Sequence, residues 1–177
     1  TSKDTEEGYP GNCTVNLTYH LEESSLVCET SGFSDQDTLF DPTQHTYFNL
    51  NEDKSPILNH QLKLNSEYMY CIDDSGVTYN KVLNTKDTLY DFSNRKIISD
   101  CLNGSHVQLE RNLGIDNYFI KKDSSNPFMA ELSVNDLVLS IYTTHPGAHV
   151  YSGNYLKKKK NGSNYPFLVQ NGGICFE

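Results

Sequence analysis

The 177-residue chain is predicted to be all-β. Three observations carry this: a clean two-residue alternation near its start, a second alternation that resumes across a two-residue turn, and short apolar runs separated by Gly, Asn, Asp and Ser. Cys13, Val15, Leu17 and Tyr19 alternate with Thr14, Asn16 and Thr18, the pattern of a strand with one buried face. Phe128, Ala130, Leu132 and Val134 share one side of another strand. After Asn135-Asp136 the alternation resumes at Leu137, Leu139 and Ile141, which reads as a β-hairpin. Runs at 26–33, 61–64, 106–110 and 115–120 are further strands between turn-forming clusters. Only 87–99 has a composition that could hold a short helix, and its apolar spacing is poor.

At this length a single domain over 1–177 is the expectation. Hydrophobic residues make up 36% and aromatic residues 11%, enough for a folded, soluble protein despite a mean hydropathy of -0.59. The net charge of -9 argues against nucleic acid and anionic membrane as partners, since both reward clustered Lys and Arg. Neutral small molecules remain open. No apolar run approaches membrane-spanning length, and the first residues lack the basic-then-apolar order of a signal peptide. Cys13, Cys28, Cys71, Cys101 and Cys175 are scattered without a CxxC pair, so neither a zinc site nor a disulfide framework is signalled, and reduced thiols in a cytoplasm fit best. The Asn-x-Ser/Thr sequons at Asn12, Asn16, Asn103 and Asn161 are then chance in a chain rich in those residues. The lysines at 157–160 read as an exposed loop tip.

Among six histidines, His45 has the most informative neighbourhood, Asp41-Pro-Thr-Gln-His-Thr-Tyr-Phe-Asn-Leu50. Pro42 disfavours a central strand, and polar side chains crowd one imidazole beside Tyr47 and Phe48, as a sugar pocket with an aromatic wall requires. Local composition alone favours a surface histidine. His145 and His149 are four apart, but Pro146-Gly147 breaks the run and the strand spacing is too long for easy co-ligation, so a metal there is not expected. Carboxylates stand among apolar residues at Asp116 and at Glu177. After Ile-Cys-Phe the latter lies in or near a core, where burial strengthens a general base, or at an exposed end, and composition leaves the two readings equal.

Three segments together resemble the galactose mutarotase (aldose 1-epimerase) family: Glu6-Glu-Gly-Tyr-Pro-Gly-Asn12 leading into the Thr-rich strand, Thr43-Gln-His-Thr-Tyr-Phe-Asn-Leu50, and Pro146-Gly-Ala-His-Val-Tyr-Ser-Gly-Asn154. Weaker echoes at Ile57-Leu-Asn-His60, Tyr90-Asp-Phe92, Gly114-Ile-Asp-Asn117 and Cys175-Phe-Glu177 follow in the family's order. The resemblance implies a large antiparallel β-sandwich, and a cofactor-free, metal-free epimerase interconverting the α and β anomers of free hexoses such as galactose and glucose. It implies His45 as general acid, Glu177 as general base and Asp116 as a ligand of sugar hydroxyls, with Gln44 and Tyr47 also lining the sugar site. Gln44 departs from the family's usual Asn, and Asp41 stands where Asn is common. The family also carries an N-terminal stretch with an Arg and a second His, and continues past the catalytic Glu. The chain is therefore expected to be an internal portion of a longer domain, not self-sufficient for turnover. The alternatives are a hexose-6-phosphate epimerase of the same fold, disfavoured because Arg95 and Arg111 are the only arginines, and a noncatalytic sugar-binding module. Acid and base acting on adjacent oxygens of one pyranose should stand roughly 5 to 9 Å apart.

Overall fold

The computed structural model describes residues 1–157 and 168–177, so residues 158–160 of the lysine run and the Asn161 sequon lie outside the described residues. The chain divides into two compact units, 1–43 and 44–177.

In the first unit, β1 (Cys13–Glu22) and β2 (Ser25–Ser34) form an antiparallel hairpin with Cys13 opposite Ser34 and Glu22 opposite Ser25. The alternation at 13–19 is thus a strand, but its apolar face is not buried: Val15, Leu17 and Tyr19 are 44%, 47% and 50% exposed. Alternation states which side chains share a face, while a two-stranded ribbon has no second sheet of its own to lay over that face. Phe40 covers one end, its ring lying where a side chain at Gly32 would stand.

The second unit holds β3 (Gln61–Leu64), β4 (Ser66–Ile72), β5 (Thr78–Asn84), β6 (Lys96–Ile97), β7 (Asp116–Lys121), β8 (Phe128–Val134), β9 (Leu137–Tyr142), β10 (Gly147–Tyr151) and β11 (Cys175–Phe176). Between β6 and β7 run two short helices, α1 (Ile98–Leu102) and α2 (Val107–Asn112). The strands form a five-stranded sheet in the order β11-β10-β7-β4-β5 and a four-stranded sheet in the order β6-β3-β8-β9, with antiparallel neighbours throughout. The hairpin on Asn135-Asp136 is β8–β9, with Val134 opposite Leu137 and Asn135 taking a positive φ of 50°, a conformation that Asn tolerates in tight turns. Leu62, Leu64, Met129 and Leu132 from the smaller sheet share one core with Met69, Phe119, Val150 and Phe176 from the larger, the packing of a β-sandwich.

One expectation is corrected here. Residues 106–110 form most of α2 rather than a strand. The His106 imidazole caps this helix by accepting the Gln108 N–H at 3.2 Å, and Gln108, Leu109 and Asn112 turn inward. The buried Gln108 amide then accepts the Ile72 N–H at 2.7 Å and donates to the Ile72 carbonyl at 3.0 Å, fastening the helix to β4. Five residues are too few to tell a period of two from one of 3.6. Residues 87–99, whose apolar spacing is poor for a helix, are mostly turns, with α1 beginning only at Ile98.

Phe119 stands at the centre of the core, 1% exposed, with ring centroids 6.4 Å from Tyr90 and 6.5 Å from Phe92. Phe119→Ala should lower unfolding stability by about 3–5 kcal/mol in urea denaturation, from lost transfer energy plus the cavity left behind. A loss under 1 kcal/mol would mean the two sheets close without it.

Candidate active site

Register decides which side chains meet. On β10, Tyr151 is opposite both Asp116 of β7 and Cys175 of β11, and His149 is opposite Tyr118. His149 and Glu177 exchange backbone hydrogen bonds of 2.7 and 2.9 Å, which carries the β11 pairing on to Glu177. Opposed residues, and residues two apart, share a face of a sheet. Cys175, Glu177, Tyr151, His149, Asp116 and Tyr118 therefore project from one face, while Phe176, Val150, Ala148 and Phe119 enter the core on the other.

His45 reaches this face from an irregular segment. Phe48 and Ile174 exchange hydrogen bonds of 2.8 and 2.9 Å, laying the segment beside the chain that leads into β11. The Asn49 amide donates to the carbonyls of Ser55 (2.9 Å) and Gly172 (3.0 Å), and the Ile57 N–H donates to the Asn171 carbonyl at 2.8 Å. Gly153, at φ 67°, permits a close approach, since a Cβ there would stand 2.5 Å from the Gly173 carbonyl oxygen. His60 is fully buried below the segment, its Nε2 accepting the Leu50 N–H at 2.9 Å and its Nδ1 facing Asn59 Oδ1 at 3.1 Å.

The result brings His45, Glu177, Asp116 and Tyr47 into one cluster. His45 Nε2 lies 3.3 Å from Glu177 Oε1, closer than the roughly 5 to 9 Å anticipated for groups serving adjacent oxygens. Its Nδ1 lies 3.4 Å from Cys175 Sγ, and its ring centroid is 4.9 Å from that of Tyr47 and 6.0 Å from that of Tyr151. Asp116 Oδ1 lies 2.6 Å from His149 Nε2. Gln44 is half-buried immediately before His45. Burial, reinforced by the charges of Glu177 and Asp116, pushes the Cys175 thiol up to about 12. Burial, then neighbouring Cys175, Tyr151 and Glu177, pushes the Tyr47 phenol up to about 12. Both keep their protons at neutral pH, so proton traffic falls to the imidazoles and carboxylates. Beside His149 a cavity of about 450 Å³ is lined by Tyr70, Thr78, Tyr118, Ile120 and Pro146, within the usual range for small-molecule sites.

Sequence reasoning assigned no site role to His149, Tyr151 or Cys175. Their signal was the strand period: 149 and 151, like 175 and 177, are two apart. His145 precedes β10 and His149 pairs with Asp116, so the spacing of four does not mark one two-histidine site.

A family model described as aldose 1-epimerase matches residues 1–177. The chain is 33% identical to human galactose mutarotase over 99% of its own length and 51% of that protein's. It is 34% identical to the aldose 1-epimerase of Haemophilus influenzae, over 93% of this chain and 50% of that one. It superposes on the crystal structure of galactose 1-epimerase from Lactobacillus acidophilus with a TM-score of 0.87 and 30% identity, covering 99% of this chain and 51% of that chain. The chain thus spans about half the length of the relatives it matches.

Burial lowers the His60 pKa below its ordinary 6.5. The unfolded chain therefore binds a proton there that the folded chain refuses, and stability falls as pH drops through 6.5 toward the lowered folded value. Urea melts at stepped pH should show this loss in the parent and a shallower one in His60→Gln. Equal slopes would assign the acid sensitivity to other groups.

Proposed function

Because the aldose 1-epimerase model matches it from end to end, the chain belongs to the aldose 1-epimerase family, and we propose that it carries the acid–base pair of an enzyme interconverting the α and β anomers of free hexoses such as galactose and glucose. The observation that supports this most is the 3.3 Å approach of His45 Nε2 to Glu177 Oε1, between residues far apart in sequence, beside the Asp116 carboxylate.

In this reading Glu177 removes the proton from the C1 hydroxyl while His45, as imidazolium, protonates the ring oxygen. The C1–O5 bond breaks to give the free aldehyde. Rotation about C1–C2 presents its other face, and ring closure with the roles reversed gives the other anomer and restores both groups. The Nδ1 side of His45 is turned to Cys175, so Nε2 is the nitrogen that delivers the proton. A pyranose between the pair requires them to part by roughly 2 to 6 Å, and His45, with half of its side chain exposed, has room to swing. Asp116, held against His149, accepts sugar hydroxyls, and Tyr47, Tyr151 and Gln44 wall the ring. Needing only a positioned acid and base, the reaction calls on no metal or cofactor.

A phosphorylated hexose suits the site less. Arg95 Nε pairs with Glu131 at 2.5 Å and Arg111 Nε with Asp74 at 2.6 Å, committing both arginines elsewhere. Five free cysteines fit a reducing cytoplasm, and among the described residues no helix is long and apolar enough to cross a membrane.

Polarimetry on freshly dissolved α-D-galactose, α-D-glucose and glucose 6-phosphate, run with the intact protein that carries this chain, tests the reading: the free hexoses should relax faster with it than without. Glu177→Gln and His45→Asn should each slow this by about 100-fold or more while sugar still binds. Unchanged rates would remove both from the chemistry. Deoxy sugars lacking the hydroxyls that Asp116 contacts should bind more weakly by roughly 1–3 kcal/mol, read by calorimetry. Equal affinity for every deoxy analogue would strip Asp116 of its ligand role.

A further inference from the structure

His45, Cys175 and Glu177 each offer one donor atom, and these atoms all lie within 4.8 Å of one another. Imidazole nitrogen, thiolate sulfur and carboxylate oxygen are the donor types that zinc and its thiophilic neighbours select, at bond lengths of about 2.0–2.3 Å. Tetrahedral angles at such lengths place donors roughly 3.3–3.8 Å from one another. The shortest approaches are His45 Nδ1 to Cys175 Sγ at 3.4 Å and His45 Nε2 to Glu177 Oε1 at 3.3 Å, made by opposite nitrogens of the ring. A metal takes only one ring nitrogen, so drawing the three donors from within 4.8 Å to tetrahedral spacing requires the His45 ring to turn. The supports differ in stiffness. Cys175 and Glu177 project side by side from the β11 edge, while the His45 side chain is 50% exposed and free to adjust. Access is from the His45 side, because Cys175 itself is fully buried.

From this geometry we propose that His45, Cys175 and Glu177 form a three-donor site for a thiophilic divalent cation of the Zn²⁺ class, with its fourth position open to the sugar pocket, and that occupancy blocks the site. Binding displaces the thiol proton to solvent and leaves a thiolate on the metal. The cation then engages both the nitrogen that would deliver a proton and the oxygen that would accept one. The block of turnover rests on the roles proposed above for His45 and Glu177. The binding does not.

The test separates the two. Co²⁺ titrated into the purified full chain should develop a thiolate-to-metal charge-transfer band that saturates at one equivalent, and Zn²⁺ should displace it. Cys175→Ser, confirmed as folded by circular dichroism, should abolish the band. It should also weaken Zn²⁺ by no less than the roughly 10- to 100-fold that loss of a supporting hydrogen bond to a metal ligand costs. If Cys175→Ser does not fold, His45→Asn, at the exposed position, takes its place with the same expected loss of affinity. No band, or a band and Zn²⁺ affinity unchanged by these substitutions, would overturn the site whatever the activity of the protein. With the site established, galactose at saturation should lower the apparent Zn²⁺ affinity, and Zn²⁺ should raise the apparent KM in polarimetry. Absence of mutarotation by the intact protein beside an intact band would count against the enzymatic reading alone.

Discussion

Two hydrogen bonds between Phe48 and Ile174 hold the candidate site together. Neither residue belongs to a long strand, yet this exchange joins an irregular segment carrying His45 to the strand carrying Cys175 and Glu177. Glu177 is itself placed by backbone bonds to His149, and His149 sits across from Tyr118 on β7. Position therefore passes from the core of the five-stranded sheet outward: β7 fixes β10, β10 fixes β11, and β11 fixes the loop. Each step is a backbone pairing, which aims side chains more narrowly than packing alone, since a slip of one residue would turn every member of the cluster into the core.

An irregular segment lying against a core must satisfy backbone polar groups that a strand would pair automatically. Asparagine does this here. Asn51 donates to Ser55, Pro56 and Asn59, Asn59 returns a bond to Asn51, and Asn171 reaches the Ser152 carbonyl. A side-chain amide both donates and accepts from a short stem, so it can stand in for a missing neighbour strand. The cost is sensitivity: a buried network of this kind stabilises only while every member is satisfied.

The sequence was most legible where a period repeated. The 128–141 hairpin is visible because alternation sustained over many residues has one reading, and the shorter runs at 61–64 and 115–120 also fall on strands, flanked by turn-forming residues. It was least legible where a run was short, as at 106–110, whose helix depends on a His106 cap and on a Gln108 amide clamped to Ile72, 36 residues away. The first strand shows a third limit. Its alternation at Val15, Leu17 and Tyr19 was correct as local structure, but burial depends on a covering layer that alternation does not encode. At the site, the family resemblance assigned roles to His45, Asp116 and Glu177 and none to Cys175 or His149, although both also stand in motif segments. The strand register is what sets Cys175 and His149 beside those three.

His45 and Cys175 are 130 residues apart in the chain, and the Phe48–Ile174 clasp closes a loop of similar size. The entropy of closing so long a loop is modest at equilibrium, about 0.6 kcal/mol for each doubling of length, but contacts this distant are slow to find during folding. The β8–β9 hairpin, turning on two residues, can form early and alone, whereas the cluster exists only after the chain has returned to its own beginning. By contact distance the cluster is therefore expected to assemble among the last parts of this chain to fold, and a partly folded population would retain strand signal while lacking it.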